Sequence, residues 1–488
     1  MFFEHVYERG LAQSSYLVGC QATGSAVVVD PRRDIDVYLQ IAEREGLQIE
    51  AVTETHIHAD YLSGARELAA ATGATLYLSD EGGDDWQYGF PHAGLRDGDT
   101  ISVGNVRLEV LHTPGHTPEH LSFLLYDEPT GPEPRMLFTG DFVFVGDLGR
   151  PDLLEMAAGV VGSRETGARQ MYSSLRRLRD LPSGVLVWPG HGAGSACGKS
   201  LGAVPVTTLG YERATGWAFR VDGEDEFVDQ LLDGQPEPPR YFGTMKRLNR
   251  SRPETTVRPI LPAIPQWSAG EVVRIAGESV DDGDGGAAHS VQVVDTRASE
   301  VALARPIPGA LSVPVDEGMS TWFGWLLDYD SDIVIVVDPE HREAVQRSLF
   351  RIGLDRIIGW ADATAVDAAV ADGAHGAEIP SVDPGEVERM RTEGATVLDV
   401  RGAGEVEEDR IPGSRHIHLG YLADRAAELD GDRPVVVHCQ GGYRSVIACS
   451  VLRRAGFSSV FNLAGGFDAW KAATARSATG EPSAASFR

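Results

Sequence analysis

Two histidines and a carboxylate at alternate positions can converge on one metal ion where a strand gives way to a loop. His56, His58 and Asp60 have this spacing in Thr55-His56-Ile57-His58-Ala59-Asp60-Tyr61. Imidazole nitrogen together with carboxylate oxygen suits zinc or iron. Three further polar positions follow in turn: His116 in Thr113-Pro114-Gly115-His116-Thr117, Asp141 in Phe138-Thr139-Gly140-Asp141, and His191 in Pro189-Gly190-His191-Gly192. A single such cluster could be a polar turn; the succession makes a metal centre the better reading. A second chemistry stands near the C-terminus. Val436-Val437-His438 leads into Cys439, then Gln440-Gly441-Gly442-Tyr443-Arg444-Ser445, then a helical pattern from Val446 to Arg454. Loop N–H groups pointing inward, a helix N-terminus and the Arg444 charge would each stabilise a thiolate or a cysteine persulfide.

These residues need rigid elements behind them. Tyr16-Leu17-Val18 and Ala26 to Asp30 read as strands joined by a Gly-containing turn, and Ile35 to Glu45 has helical spacing. Ala51-Val52-Thr53-Glu54 reads as the strand end that delivers His56, and Val185-Leu186-Val187-Trp188 does the same for His191. Ligands on loops held by a sheet are the expected arrangement. After Tyr211 the pattern loosens, and 236–240 and 251–265, rich in Pro and Arg, read as a connector.

From Gln266 onward the chain repeats itself. Val293-Val294-Asp295-Thr296-Arg297 matches Val397-Leu398-Asp399-Val400-Arg401, and Ile307-Pro308-Gly309 matches Ile411-Pro412-Gly413, 104 residues apart at both places. Val334 to Val337 is aligned with Val435 to His438, and Arg351-Ile352-Gly353-Leu354 with Arg454-Ala455-Gly456-Phe457. Two copies of one small α/β domain account for this. Where the second copy has Cys439, the first has Val336-Val337-Asp338-Pro339-Glu340-His341-Arg342, with an acid at or beside the cysteine position. Acid and thiolate do not interchange, so the first copy is expected to be inactive and to serve as spacer or interface.

The four metal-type motifs, in this order, resemble the metallo-β-lactamase superfamily over about the first half of the chain, and the Cys439 loop resembles that of rhodaneses. The resemblance implies an α/β protein: an N-terminal αββα sandwich followed by two α/β rhodanese-like domains. The expected boundaries are 1–245 for the metallo-β-lactamase-like domain, 246–265 for a linker, 266–370 for the degenerate copy, 378–476 for the active copy and 477–488 for a frayed tail. Two-metal hydrolases of the superfamily have His where Tyr61 stands. A phenol with an ordinary pKa near 10 is a poor ligand at neutral pH, so the second site is expected to be vacant.

The branch that uses one iron is the persulfide dioxygenases. Carried over, the resemblance implies one Fe(II) per chain on His56, His116 and Asp141, with open positions for substrate and O2. His58, Asp60 and His191 would orient these ligands and hold water. Phe144 to Asp152 also resembles this branch, and there Arg150 is expected either to hold a substrate carboxylate or to pair internally with Asp147 or Asp152. Cys197, with Lys199 close by to lower its pKa, is a candidate sulfur relay. Cys439 and Arg444 would carry sulfur transfer, within a persulfide loop of Gln440, Gly441, Gly442, Tyr443 and Ser445. The implied function is oxidation of a small-thiol persulfide by O2 to sulfite and thiol, coupled to transfer of sulfane sulfur to or from sulfite or thiosulfate. The alternative is a Zn-dependent thioester hydrolase of the glyoxalase II type with an attached rhodanese; a sulfur sensor using Cys439 is a third, non-catalytic reading.

Composition agrees with a globular chain: 42% hydrophobic and 24% charged residues over 488 positions, enough for two to four domains. A formal charge of −29 argues against nucleic acid and anionic membrane as partners, since phosphate binding needs a basic stripe. No apolar run could span a bilayer, and Met1-Phe2-Phe3-Glu4-His5 has no signal-like pattern, so a cytoplasmic location is expected. Four cysteines are too few for a disulfide framework and read as free thiols. Cys20, Cys449, His112 and His438 read as structural, and homo-oligomerisation is left open.

Overall fold

The structure is a computed structural model that describes residues 1–153, 155, 162–253, 256–258, 260–278, 290–371 and 376–479. It divides into two compact units, Met1–Pro262 with Leu349–Gly353, and Ala263–Ser348 with Leu354–Arg488.

The first unit contains two six-stranded sheets. One runs in sequence order: β1 (Phe2–Glu8), β2 (Gln13–Cys20), β3 (Ser25–Val29), β4 (Gln48–Thr53), β5 (Thr75–Ser79) and β6 (Ala93–Leu95). The other also runs in order: β7 (Thr100–Val103), β8 (Val106–His112), β9 (Leu121–Asp127), β10 (Met136–Gly140), β11 (Leu186–Pro189) and β12 (Thr207–Thr208). Strand parity sorts their side chains. Tyr16, Val18, Val27 and Val29 share a core with Leu108, Val110, Phe123 and Phe138 between the sheets. Their neighbours Leu17, Ala26 and Val28 point the other way, onto Tyr38 and Ile41 of helix Asp36–Glu45 and Leu68 of helix Ala65–Thr72. Leu124 and Leu137 face outward from the second sheet onto Ala168, Met171 and Leu175 of helix Ser163–Arg177. Burial on both faces explains why β2 and β3 read as unbroken buried runs rather than alternating ones. The result is the expected αββα sandwich.

The second unit holds the two repeats, each with its own core, one around Val293, Val334 and Val366 and one around Val397, Val436 and Phe467. The first sheet has the spatial order β14 (Leu311–Ser312), β13 (Val291–Asp295), β15 (Asp332–Val337), β16 (Ile357–Asp362). In the second, β17 (Ser381–Val382), β18 (Thr396–Asp399), β19 (Arg415–His416), β20 (Val435–His438) and β21 (Val460–Leu463) take the order β19-β18-β20-β21-β17, read from the other edge. The shared part is the same topology twice. Arg297 forks onto Asp295, and Arg401 forks onto Asp399 in the same way.

Two sequence expectations are corrected here. The ladder pairs Asp295 with Val336 and Asp399 with His438, so the copies align one residue differently from the apolar runs. Val337, fully buried and without a nucleophile, occupies the place of Cys439, with Asp338 beside it. The boundary expected at 245 bisects the helix Phe242–Ser251, whose Phe242, Met245 and Asn249 are buried, and the first unit continues to Pro262. The amphipathic spacing of that helix is masked in the sequence by its flanking Pro and Arg residues. At the C-terminus, helix Gly466–Thr479 runs into the expected tail; 480–488 lie outside the described residues.

Candidate functional site

The metal-type residues gather where β3, β4, β8, β10 and β11 end. Asp30, one residue past β3, organises the first group. Its carboxylate accepts from the Thr55 N–H at 2.6 Å, the Thr55 hydroxyl at 2.9 Å and His58 Nε2 at 3.2 Å. Asp30 has φ +52°, a left-handed conformation that Asp tolerates better than most residues. Because the Thr55 hydroxyl donates to Asp30, its oxygen accepts from His56 Nδ1 at 2.9 Å, which leaves the His56 Nε2 lone pair free. His116 is set the same way: its Nδ1 donates to the Arg150 carbonyl at 2.9 Å. Both Nε2 atoms face Asp141 Oδ2, at 4.0 Å from His56 and 3.6 Å from His116. One ligand atom from each of His56, His116 and Asp141 lies within 4.8 Å of the other two, and all three residues are buried.

The donor set fits a divalent cation. Neither Asp141 oxygen has a hydrogen-bond partner among the described residues, and an unpaired buried carboxylate is costly. Burial, with the Asp60 carboxylate also opposing ionisation, pushes Asp141 up to about 6. Burial likewise pulls His56 and His116 well below their ordinary range, so both present neutral nitrogen. His58 stands outside this trio. Burial alone would lower its pKa, but Asp30 overrides it and raises the imidazole to about 9, so its Nε2 carries a proton aimed at Asp30.

A second buried group consists of Asp60, His191 and Cys197, again with one ligand atom each within 4.8 Å. His191 Nε2 lies 3.4 Å from Asp60 Oδ2 and 3.4 Å from Asp141 Oδ1, so Asp141 stands between the two groups. The sequence placed Cys197 near His191 as a relay; the structure also makes it a third potential ligand where Tyr61 offers none. The Tyr61 hydroxyl donates to the Asp30 carbonyl at 3.3 Å, and burial holds the phenol well above its ordinary pKa.

Near this site the internal pairing is the one of the two Arg150 readings that is observed, and the expectation for Lys199 is corrected. Arg150 is 1% exposed, forks onto Asp152 at 2.9 and 2.6 Å, and donates to the Ala196 carbonyl, so its fork is filled internally rather than held ready for a substrate. Lys199 donates to the Gln230 and Asp233 carbonyls, and the Cys197 thiol is pushed well above its ordinary pKa by burial and by Asp141 and Asp60.

Sequence reasoning missed Asp30, His120 and Asn249. His120 stacks on His56, ring centroids 5.1 Å apart, and burial drops its pKa to about 3. Gly140 shows how tight this place is: at φ +48°, a Cβ there would lie 2.4 Å from Thr55 Oγ1 and 2.9 Å from His120 Nε2. Asn249 donates to the His58 and Tyr61 carbonyls, both at 2.8 Å, and accepts from the Ser63 N–H, clamping the loop from outside. The only local signal was an acid directly after the apolar run ending at Val29. Asp30→Ala strips three donors of one acceptor and leaves the buried His58 without its hydrogen-bonded carboxylate, with only the charges of Glu54 and Asp60 still acting on it. It is expected to cost about 3–5 kcal/mol of unfolding free energy, the range for breaking a buried charge pair. Denaturant melts of the metal-free protein read this directly; an unchanged midpoint would mean that Thr55 and His58 find other partners.

In the second unit Cys439 follows β20 and precedes helix Tyr443–Arg454. The residue is 1% exposed, and its sulfur accepts from the Gly442 N–H at 3.1 Å and lies 3.8 Å from Ser445 Oγ. Ser445 donates to Asn462 Oδ1 at 2.7 Å, which leaves its oxygen turned to the sulfur. Gly442 has φ +116°, a conformation that needs glycine. Gln440 is held by Arg401 and Asp468. Arg444 forks onto Glu405 at 2.6 and 2.7 Å, so its charge is largely offset there. Burial opposes ionisation of Glu405, but the Arg444 bonds prevail and keep it below the ordinary carboxylate range. The Tyr443 hydroxyl donates to the Pro314 carbonyl of the first repeat at 3.0 Å. A cavity of about 630 Å³ beside Gly441 and Gly442 is walled on its far side by Ser299, Glu300 and Leu303 of that repeat.

Residues 9–191 match the metallo-beta-lactamase superfamily model and residues 383–473 match the rhodanese-like domain model. A crystal structure of a metallo-beta-lactamase from Staphylococcus aureus is 40% identical, with a TM-score of 0.64; the match covers 74% of this chain and 98% of that one. Hydroxyacylglutathione hydrolase of Rhodospirillum rubrum is 36% identical over 36% of this chain and 60% of its own length. A probable polyketide biosynthesis zinc-dependent hydrolase of Bacillus velezensis is 28% identical over 46% of this chain and 88% of its own. The chain thus spans about three-fifths of the length of the hydroxyacylglutathione hydrolase it matches.

Proposed function

From a chain that belongs to the metallo-beta-lactamase superfamily and carries a rhodanese-like domain towards its C-terminus, we propose a two-site sulfur enzyme. Its first site oxidises the persulfide of a small thiol with O2, and its second transfers sulfane sulfur through Cys439. The observation that carries the first part is the composition of the inner trio. His58 is drawn to Asp30, which leaves two imidazoles and one carboxylate, the donor set of mononuclear iron(II) oxygenases.

One Fe(II) per chain, bound there, would supply the activation of O2 towards the terminal sulfur of the substrate. Overall, one O2 and one water turn each persulfide into its thiol, one sulfite and two protons. The protein's share is placement. Thr55 and the Arg150 carbonyl hold His56 and His116 with Nε2 turned inward, and Asp30 keeps His58 away from the trio. Burial of the whole cluster excludes bulk water. In the second unit, the Cys439 thiolate attacks the outer sulfur of a persulfide and releases the thiol. Sulfite then attacks the outer sulfur of the Cys439 persulfide, forming thiosulfate and restoring the thiolate; the same steps reversed consume thiosulfate. The Gly442 N–H stabilises the anionic sulfur at each stage.

A second reading is a thioester hydrolase like the relatives named hydroxyacylglutathione hydrolase. It is favoured by the Asp60, His191 and Cys197 group, which with Asp141 could hold a second metal. Metal analysis together with O2 consumption on glutathione persulfide separates the two. Iron near one per chain with O2 uptake supports the dioxygenase; two zincs per chain and no O2 uptake after iron loading supports the hydrolase. No helix among the described residues is long and apolar enough to cross a membrane. The partners we propose are small molecules: persulfide, O2, sulfite and thiosulfate.

A further inference from the structure

Five residues of the first repeat's sequence, Leu349–Gly353, fold as part of the first unit. They include the end of helix Arg342–Arg351 and the Gly353 that follows it at φ +74°. Arg33, fully buried, donates to the Phe350 carbonyl at 2.9 Å and lies over the Phe350 ring at 3.9 Å. A Cβ on Gly353 would lie 3.2 Å from the Met245 side chain and 3.3 Å from those of Leu248 and Leu62. Arg351, in the middle of this segment, reaches three stretches that carry or orient site residues. Its carbonyl accepts from the Leu62 N–H at 2.7 Å, just past Asp60. Its guanidinium forks onto Asp34 at 3.0 and 2.7 Å, in the stretch that begins at the Asp30 orienting Thr55 and His58. Its remaining nitrogen donates to Glu8 Oε1 at 2.8 Å, and Glu8 Oε2 accepts from the Leu11 N–H. That turn presents the Ala12 carbonyl to His191 Nδ1 at 3.2 Å and to the Gly192 N–H at 3.0 Å. The side chains of Asp34, Glu8 and Arg351 are 1%, 10% and 13% exposed, so these bonds are largely shielded from water. Residues 54–62 contain no helix or strand. A loop without a ladder of its own takes its position from the groups that satisfy its backbone. Here Asn249 holds the His58 and Tyr61 carbonyls, and Arg351 holds the Leu62 N–H. In the second repeat the matching Arg454 instead lines a cavity of about 320 Å³.

We infer that Arg351 is a positioning residue of the metal centre, a role that rests on a metal being bound there and not on which reaction it supports. Arg351 ties three stretches to one another: the loop that carries Asp60, the stretch that orients His58, and the turn that orients His191. The copy that lost the cysteine thus supplies the metal site with its fastening. It acts on the ligands only through the loops that bear them.

Two measurements on the full-length chain test this: hydrogen exchange of the metal-free protein, read peptide by peptide, and titration with Co(II) against a competing chelator. Arg351→Met removes the fork and keeps the stem and the carbonyl. Arg356→Met, which breaks the Arg356–Asp332 pair of the second unit, is the control. Arg351→Met is expected to speed exchange at 9–14 and 56–64 by about tenfold or more, while β8 to β10 keep their rates. It should also weaken Co(II) binding about tenfold, the lower end for groups that orient ligands. Arg351→Lys keeps the charge without the fork and should recover part of both effects; Arg356→Met should show neither. Faster exchange spread evenly over the first unit with Co(II) affinity unchanged, or wild-type rates at 9–14 and 56–64, would overturn the inference. Should Arg351→Met not fold, Asp34→Asn leaves the fork one acceptor and is expected to show the same pattern at smaller size. Wild-type rates at 56–64 in Asp34→Asn would equally overturn it. If wild type binds no Co(II), the metal centre itself falls, and the exchange pattern alone decides whether Arg351 fastens the three stretches.

Discussion

Asp141→Ala is expected to empty the inner site of iron and abolish O2 uptake, and at the same time to make the metal-free protein more stable. Both effects have one cause. The carboxylate is fully buried, its two oxygens have no hydrogen-bond partner among the described residues, and burial pushes it up to about 6. A cation bound by His56, His116 and Asp141 would offset it. Removing it should therefore relieve about 1–3 kcal/mol in the absence of metal, the cost of leaving a buried polar group unsatisfied. His116→Ala should lose iron comparably, because only two of three donors remain. Asp60→Ala should not, since Asp60 belongs to the outer group with His191 and Cys197. Loss of an orienting residue lowers metal affinity about 10–100-fold, and loss of a direct ligand more than that. Emission spectrometry of dialysed protein reads the metal, an oxygen electrode reads the reaction, and thermal melts of apoprotein read the stability. Retention of one iron in Asp141→Ala, or its loss in Asp60→Ala at the same level, would move the metal to the outer group.

The asymmetry between the two groups also explains what the sequence told and what it withheld. His116, Asp141 and His191 announce themselves because each follows an apolar strand and stands beside a glycine that shapes a loop, and His56 because His58 and Asp60 follow it at alternate positions. The strands β2 and β3 were legible from unbroken apolar runs at 16–18 and 26–29, since a strand buried on both faces needs no polar alternation, whereas the αββα layering came from the resemblance of the metal-type motifs. Asp30 was not legible. Its role depends on β3 and β4 lying side by side in parallel, with Asp30 N–H bonded to the Thr53 carbonyl, and no spacing within one strand encodes that neighbour. Arg150 was ambiguous for the same reason: Asp152, two residues away, and the distant Ala196 carbonyl share its fork. The repeat was legible in Asp-x-Arg, because Arg297 and Arg401 each close on a carboxylate two residues back. Its alignment across β15 and β20 was not, because a run of valines matches itself in more than one register and only the ladder chooses.

That ladder sharpens the expectation for sulfur transfer. With Val337 at the place of Cys439, the first repeat has no cysteine, so the proposed sulfur transfer in the second unit is expected to depend on Cys439. Cys439→Ser is expected to reduce transfer of sulfur from thiosulfate to cyanide or a thiol by at least about a thousandfold, since a serine hydroxyl is scarcely ionised where a thiolate is available. The substitution changes one atom next to the Gly442 N–H and Ser445 and should leave the fold intact. The same variant should keep O2 uptake on glutathione persulfide, because the trio of His56, His116 and Asp141 lies in the other unit. Its product should shift from thiosulfate towards sulfite, which ion chromatography resolves. Conversely, His116→Ala should lose O2 uptake and keep transfer between thiosulfate and cyanide. Cys197 supplies the contrary outcome. Its thiol is held neutral by burial and by Asp141 and Asp60, which disfavours it as a free nucleophile unless a metal or persulfide reaches it. If Cys439→Ser still makes thiosulfate at the wild-type yield, after subtraction of the uncatalysed reaction, and Cys197→Ser does not, the sulfur is carried at the outer group beside the metal and the second unit is not the transferase.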